Sequence, residues 1–82
     1  MEKKTNLSFE EIMEQDERRV HIVIYKLNIE DPYGEFYQEG LVAIGDAYET
    51  HQPDLGALST YINYTIRQRL IYLLRVKDYM DA

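Results

Sequence analysis

The chain has only two prolines, Pro32 and Pro53, and they part it into three stretches that each carry apolar residues at helical spacing. Proline lacks the N–H that an interior helical turn requires, and it pushes the residue before it out of helical dihedrals. Apolar residues recurring at every third or fourth position put one greasy stripe on each stretch. The spacing predicts an all-α unit, a three-helix bundle with helices over about 8–28, 33–50 and 58–76. Residues 1–7 and 78–82 read as flexible ends of the single domain 8–77.

Within the first stretch, Ser8 followed by Glu11 fits a capping box, in which each side chain satisfies an orphaned amide at the helix start. Its stripe is Phe9, Ile12, Met13, Val20, Val23, Ile24 and Leu27, interrupted by Asp16 where another apolar residue is expected. The tract Asn28 to Pro32 ends it. The second stripe is Phe36, Tyr37, Gly40, Leu41, Ile44, Ala47 and Tyr48. Gly40 and Gly45 each cost about 1 kcal/mol against alanine inside a helix, so both are expected at close approaches of another element. His51-Gln52-Pro53-Asp54-Leu55-Gly56 is turn chemistry, after which Ser59 or Thr60 is placed to cap the third helix. That helix has an expected core line of Ile62, Ile66, Leu70 and Leu73.

Eighty-two residues make one small domain, which buries only about 60% of its unfolded surface and so has a thin core. No cysteine is present, which removes disulfides, thiolate zinc sites and a cysteine nucleophile together. No apolar run approaches the roughly 20 residues of a membrane span, and the amino terminus lacks the apolar core of a signal peptide, so a cytoplasmic location is expected. The net charge is −6, but it is unevenly spread. Residues 1–57 hold five bases against thirteen acids, whereas residues 58–77 hold Arg67, Arg69, Arg75 and Lys77 and no acid. Such asymmetry predicts two surfaces with different partners.

Opposite its core line, the third helix carries Tyr61, Tyr64, Gln68, Tyr72 and Arg75 at spacings of three or four, with Ile71 at the edge. Aromatic rings stack on unpaired bases, worth about 1–3 kcal/mol each, while arginine neutralises phosphate and glutamine pairs with adenine. The same tyrosines also suit the padding of a thin core, and pattern alone leaves both readings open. The acids of the second helix likewise suit a plain solvated face. Chemistry is harder to find. His21 and His51 stand apart with no partner at ligand spacing, Ser59 has no adjacent base, and the four glycines are scattered, so no catalytic residue, metal site or cofactor is expected.

These residues carry a likeness. Glu35-Phe36-Tyr37-Gln38-Glu39-Gly40-Leu41-Val42-Ala43-Ile44 resembles the "D-L-x-Q-E-G-x-x-x-L" helix of region 2.2 in bacterial RNA polymerase sigma factors of the sigma-70 family. Pro53-Asp54 to Gly56, then Leu58-Ser59-Thr60-Tyr61, is similar to the "D-P-x-x-G-x-F-S-T-Y" link into region 2.3. Ile66-Arg67-Gln68 on to Tyr72-Leu73-Leu74-Arg75 resembles the "I-R-Q/G-A-I-x-D-Y-L-R" of region 2.4. The likeness spans about residues 8–77, with the three motifs in order and at matching intervals.

The resemblance implies a transcription-initiation subunit. By it, Glu35, Gln38, Glu39 and Leu41 dock on the clamp helices of the polymerase β′ subunit. The 58–75 helix binds and helps melt the −10 promoter element, Tyr61 and Tyr64 holding unpaired bases of the non-template strand and Arg67 and Gln68 reading its upstream edge. Arg69, Ile71 and Arg75 lie on the same implied DNA-binding helix. The sequence departs from the family at Tyr64-Thr65, where primary sigma factors carry two tryptophans, at Leu58 in place of phenylalanine, and at Arg69, where a small residue is common and an added phosphate contact is expected. No region 4 motif follows, so a separate region 4 sigma subunit is the expected partner, and an anti-sigma factor is another that the likeness implies. A non-catalytic protein that occupies core polymerase as a competitor of sigma factors is the alternative from a different class.

Overall fold

The computed structural model describes residues 8–81, apart from the side chains of Phe9 and Asp81, and its elements are three α-helices joined by two loops. They are α1 (Phe9–Lys26), α2 (Glu35–Thr50) and α3 (Leu58–Asp81), with one 3₁₀ turn, Pro53–Leu55, before the last. The all-α three-helix expectation holds. The expected flexible segment 1–7, and Ala82, lie outside the described residues.

Each helix boundary has a local chemical cause. At the start of α1, Ser8 Oγ accepts from the Glu11 amide at 3.1 Å and Glu11 Oε1 from the Ser8 amide at 2.8 Å, the reciprocal cap that the sequence predicts. The helix ends at Lys26, before the expected boundary near residue 28 and well before proline acts. Asn28 takes a left-handed φ of 56°, which its short polar side chain tolerates. Its amide then donates to Tyr25 O at 3.0 Å and that of Ile29 to Ile24 O at 3.1 Å, closing the last turn's carbonyls.

A different device starts α2. Gly34 precedes it at φ 74°, and the Asp31 carboxylate accepts from the amides of Phe36 at 3.0 Å and Tyr37 at 2.9 Å. One side chain thus satisfies two amides that a helix start leaves orphaned, and sets a negative charge at the positive end of the helix dipole. The helix therefore begins at Glu35 and not at 33. In α3 the Ala57 carbonyl accepts from the Tyr61 amide at 3.0 Å, so Ser59 and Thr60 fall inside the first turn and neither is the cap. Helical geometry then continues to Asp81, beyond the expected end near 76.

The core is one line of branched side chains from α3, Ile62, Ile66 and Leu70, set against Phe36, Ala43, Ile44 and Ala47 of α2 and Val20 of α1. Expected core positions Val23, Ile24, Leu27, Tyr37, Leu41 and Leu73 are only partly buried against it. Met13 and Tyr48 are exposed, and Ala43 is a core residue that the expected stripe leaves out. Small residues along α2 let the helices approach. At Gly40 an added Cβ would lie 2.6 Å from Val20 Cγ1, inside van der Waals contact with a stiff, fully buried side chain. At Gly45 it would meet nothing within 4 Å, so the expected close approach holds at the first glycine and not at the second.

The two glycines therefore predict opposite outcomes. Gly40→Ala overpacks the α1–α2 contact, at a cost of about 1–3 kcal/mol that outweighs the roughly 1 kcal/mol gain in helix propensity. Gly45→Ala keeps that gain without the clash. Thermal melts are expected to move down for the first and up, by about 4–8 °C per kcal/mol, for the second. Equal shifts in one direction would contradict the packing described.

Candidate nucleic-acid interface

Because Ile62, Ile66 and Leu70 point inward, helical geometry fixes where the remaining side chains of α3 go. Tyr61, Tyr64, Thr65, Gln68, Arg69 and Tyr72 line one shallow, solvent-open groove, closed on its far side by Glu39 of α2. Four of the expected DNA-binding residues, Tyr61, Tyr64, Gln68 and Arg69, thus meet in one place. Arg67 does not join them. It sits on the opposite flank of α3, where it faces α1 beside Arg19, Lys26 and Asn63. Ile71 is half-buried and Arg75 exposed, and neither lines either hollow.

The two tyrosines expected to hold bases differ in their surroundings. Tyr64 is 59% exposed, with its ring open to solvent. Tyr61 is packed partly against the core; its hydroxyl lies 2.8 Å from Thr50 Oγ1 and its ring tilts against His51 at 5.3 Å. Core padding therefore describes part of Tyr61 and little of Tyr64. Thr65, in place of a second large aromatic, turns its hydroxyl back onto the Tyr61 carbonyl at 2.8 Å. His51 closes the preceding loop through Nε2, 2.7 Å from Gly56 O, and His21 stacks on Tyr37 with centroids 4.9 Å apart.

Arg69 has a role that the sequence alone does not disclose. Its guanidinium donates to Glu39 Oε2 at 3.1 Å and to Asp46 Oδ2 at 2.5 Å, tying α3 to α2 along the groove wall. The bonds to Asp46 and Glu39 favour the charged form and hold its pKa above even the ordinary arginine value. Arg69, expected to add a phosphate contact, is instead charge-compensated within the fold, and so is Glu39, expected to face a protein partner. Farther along, Lys77 Nζ lies 2.8 Å from Glu35 Oε1. Asp46 was readable in principle, since it stands seven residues after Glu39 and therefore on the same flank of α2.

The four residues expected to dock on a polymerase thus divide. Glu35 and Glu39 turn toward α3, Gln38 is exposed, and Leu41 lines an apolar hollow between α1 and α2 with Ile12, Met13, Ile44, Gly45 and Tyr48. Asp16 borders that hollow. It is 8% exposed at its apolar-stripe position, 3.5 Å from Arg19 Nε, and accepts a long hydrogen bond of 3.4 Å from the Tyr48 hydroxyl. Burial outweighs those partners and raises its pKa above the usual carboxylate value. Burial also raises the Tyr48 hydroxyl, with the Asp16 charge adding to it.

Among the described residues no group of three or more His, Cys, Asp or Glu side chains is placed to hold a metal, and no helix is long and apolar enough to cross a membrane. No family model, curated protein or solved structure matches the chain.

The Arg69 clamp predicts a salt-sensitive contribution to stability. Partly exposed pairs contribute at most about 1 kcal/mol each and are screened by salt. Arg69→Ala is expected to lower the melting temperature by several degrees in low salt and by less in 0.5 M salt, with Glu39→Gln and Asp46→Asn each giving a smaller loss. A salt-independent loss would show that Arg69 acts by packing and not by charge.

Proposed function

We propose that the chain is a transcription-initiation subunit, similar to region 2 of sigma-70 family factors, that binds core RNA polymerase and engages the unpaired −10 promoter strand through α3. The observation that carries the reading is the convergence of Tyr61, Tyr64, Gln68 and Tyr72 on one open groove. Rings and an amide in a shallow trough suit a base removed from its stack, which needs a flat surface and a partner for its polar edge. The order and intervals of the three motifs supply the polymerase context.

In this reading the work divides by exposure. Tyr64, the more open ring, offers a stacking surface to a base leaving the duplex, and Gln68, one turn on, offers its amide to a base edge. Tyr61 supports the groove floor while held by Thr50. Flipping a base costs a few kcal/mol of lost stacking, and an aromatic platform offsets part of that cost. Only Arg67 and Arg75 of the α3 cations form no ion pair among the described residues, and two phosphate contacts give a duplex backbone little affinity, so the polymerase must deliver the promoter. A separate region 4 subunit and the β′ clamp helices are the partners this function requires, with Gln38 the most accessible of the expected docking residues.

Tyr64→Ala separates this function from its competitor. In reactions with core polymerase and the region 4 partner, permanganate footprinting on a matched promoter is expected to show impaired opening. A promoter mismatched across its −10 element is expected to restore part of it, because unpairing no longer draws on the lost stack of about 1–3 kcal/mol. Core binding and the melting temperature of the variant should stay near those of the parent. Full opening by the variant on the matched template would remove the melting role, and promoter-independent inhibition of other sigma factors would favour the competitor.

A further inference from the structure

We infer that α1 supplies half of a phosphodiester seat on the flank of α3 opposite the tyrosine groove. Arg19, Ile22, Val23 and Lys26 of α1 line a hollow of about 290 Å³ with Asn63 and Arg67 of α3. Three of those six side chains are cationic and none is acidic, in a chain whose net charge is −6. Like charges set around one crevice repel one another, and an anion seated among them relieves that repulsion.

The three cations are not equivalent. Arg19 is tethered and partly neutralised: Nη1 donates to Asn63 Oδ1 at 3.2 Å, and the Asp16 carboxylate, 3.5 Å from Nε, offsets its charge. Lys26 and Arg67 form no ion pair among the described residues, and they carry the seat's net positive charge. A volume at the lower edge of the roughly 300–1,000 Å³ range of ligand sites suits one phosphate-sized group and its sugar, not an extended cofactor.

What identifies the ligand as nucleic-acid backbone is the other flank of the same helix. Arg67 follows Tyr64 by three residues and precedes Gln68 by one, so the seat and the aromatic groove share the crest of α3. Cations tracking a backbone on one side of a row of rings is how single strands are held. A strand crossing α3 would rest bases on Tyr64 and Tyr72 and a phosphate between Lys26 and Arg67. Nothing in the three sigma-like motifs covers α1, so Arg19 and Lys26 extend the proposed interface to a second helix; the inference rests on the reading of the groove as a base platform.

Binding of the full chain to a fluorescein-labelled single-stranded DNA of mixed sequence, followed by anisotropy from 20 to 150 mM salt, tests it. Lys26→Glu and Arg67→Glu are expected to weaken binding about tenfold each and to lower the salt slope by about 0.7 per lost phosphate contact. Tyr64→Ala is expected to weaken binding with the slope unchanged, and Arg18→Glu, an exposed reversal outside the seat, to act less than Lys26→Glu. If Tyr64→Ala weakens binding and the two reversals act no more than Arg18→Glu, the seat is refuted while the base platform stands. If the reversals abolish binding and Tyr64→Ala does nothing, the seat stands as a backbone site and the platform falls. No binding by the parent chain at 20 mM salt overturns both. Circular dichroism melts of each variant exclude unfolding as the cause of a loss.

Discussion

Everything outside the core follows from one line of three branched side chains, Ile62, Ile66 and Leu70, fully buried along α3. A domain of this size has little apolar surface to bury, so that line must be packed without gaps. It lies against the small residues of α2 and is met by Val20 where Gly40 leaves room. Once the line is fixed, the pitch of the helix assigns every other residue of α3. Tyr61, Gln68, Arg69 and Tyr72 turn toward α2, and Asn63 and Arg67 toward α1. The crest is left to Tyr64 and Arg75, which are exposed. The candidate interface is thus a by-product of packing, and its geometry is only as stable as that line.

Charge is the second organising term, and it acts mostly within the molecule. The acidic and basic halves of the chain predict separate surfaces, yet Glu39 and Asp46 meet Arg69, and Glu35 meets Lys77, across the α2–α3 seam. Much of the asymmetry along the sequence is therefore cancelled in space. What remains uncompensated on α3 is Arg67 and Arg75, two of its four cations. The pairing also means that a partner seeking Glu39 must compete with Arg69 for it.

The fold was legible because its signals are local and repeated. Helical spacing gave three helices, Ser8 and Glu11 the first cap, and Gly40 a close approach. Boundaries were less legible where a single residue overrode the general rule. Asn28 ended α1 by taking a left-handed conformation, and the Asp31 carboxylate started α2 from outside the helix. The site was legible as a face of α3, but not its division into two flanks, because sequence spacing does not say which neighbour each flank meets. Arg69 and Asp16 show the limit. One is a cation spent on two internal carboxylates, and the other an acid at an apolar position whose burial is made tolerable by Arg19 and Tyr48. Arg69 reaches its carboxylates and Asp16 its tyrosine across long stretches of chain, which helical spacing does not encode, whereas Asp16 and Arg19 are one turn apart.

In the proposed function the crest of α3 touches an unpaired promoter strand. Replacing Tyr64 with a photoreactive phenylalanine and irradiating the complete polymerase–promoter complex reads that contact directly. A crosslink to the non-template strand within the −10 element is expected, appearing only under conditions that open the promoter. A crosslink to polymerase protein alone, or one to duplex DNA that does not change with opening, would contradict it.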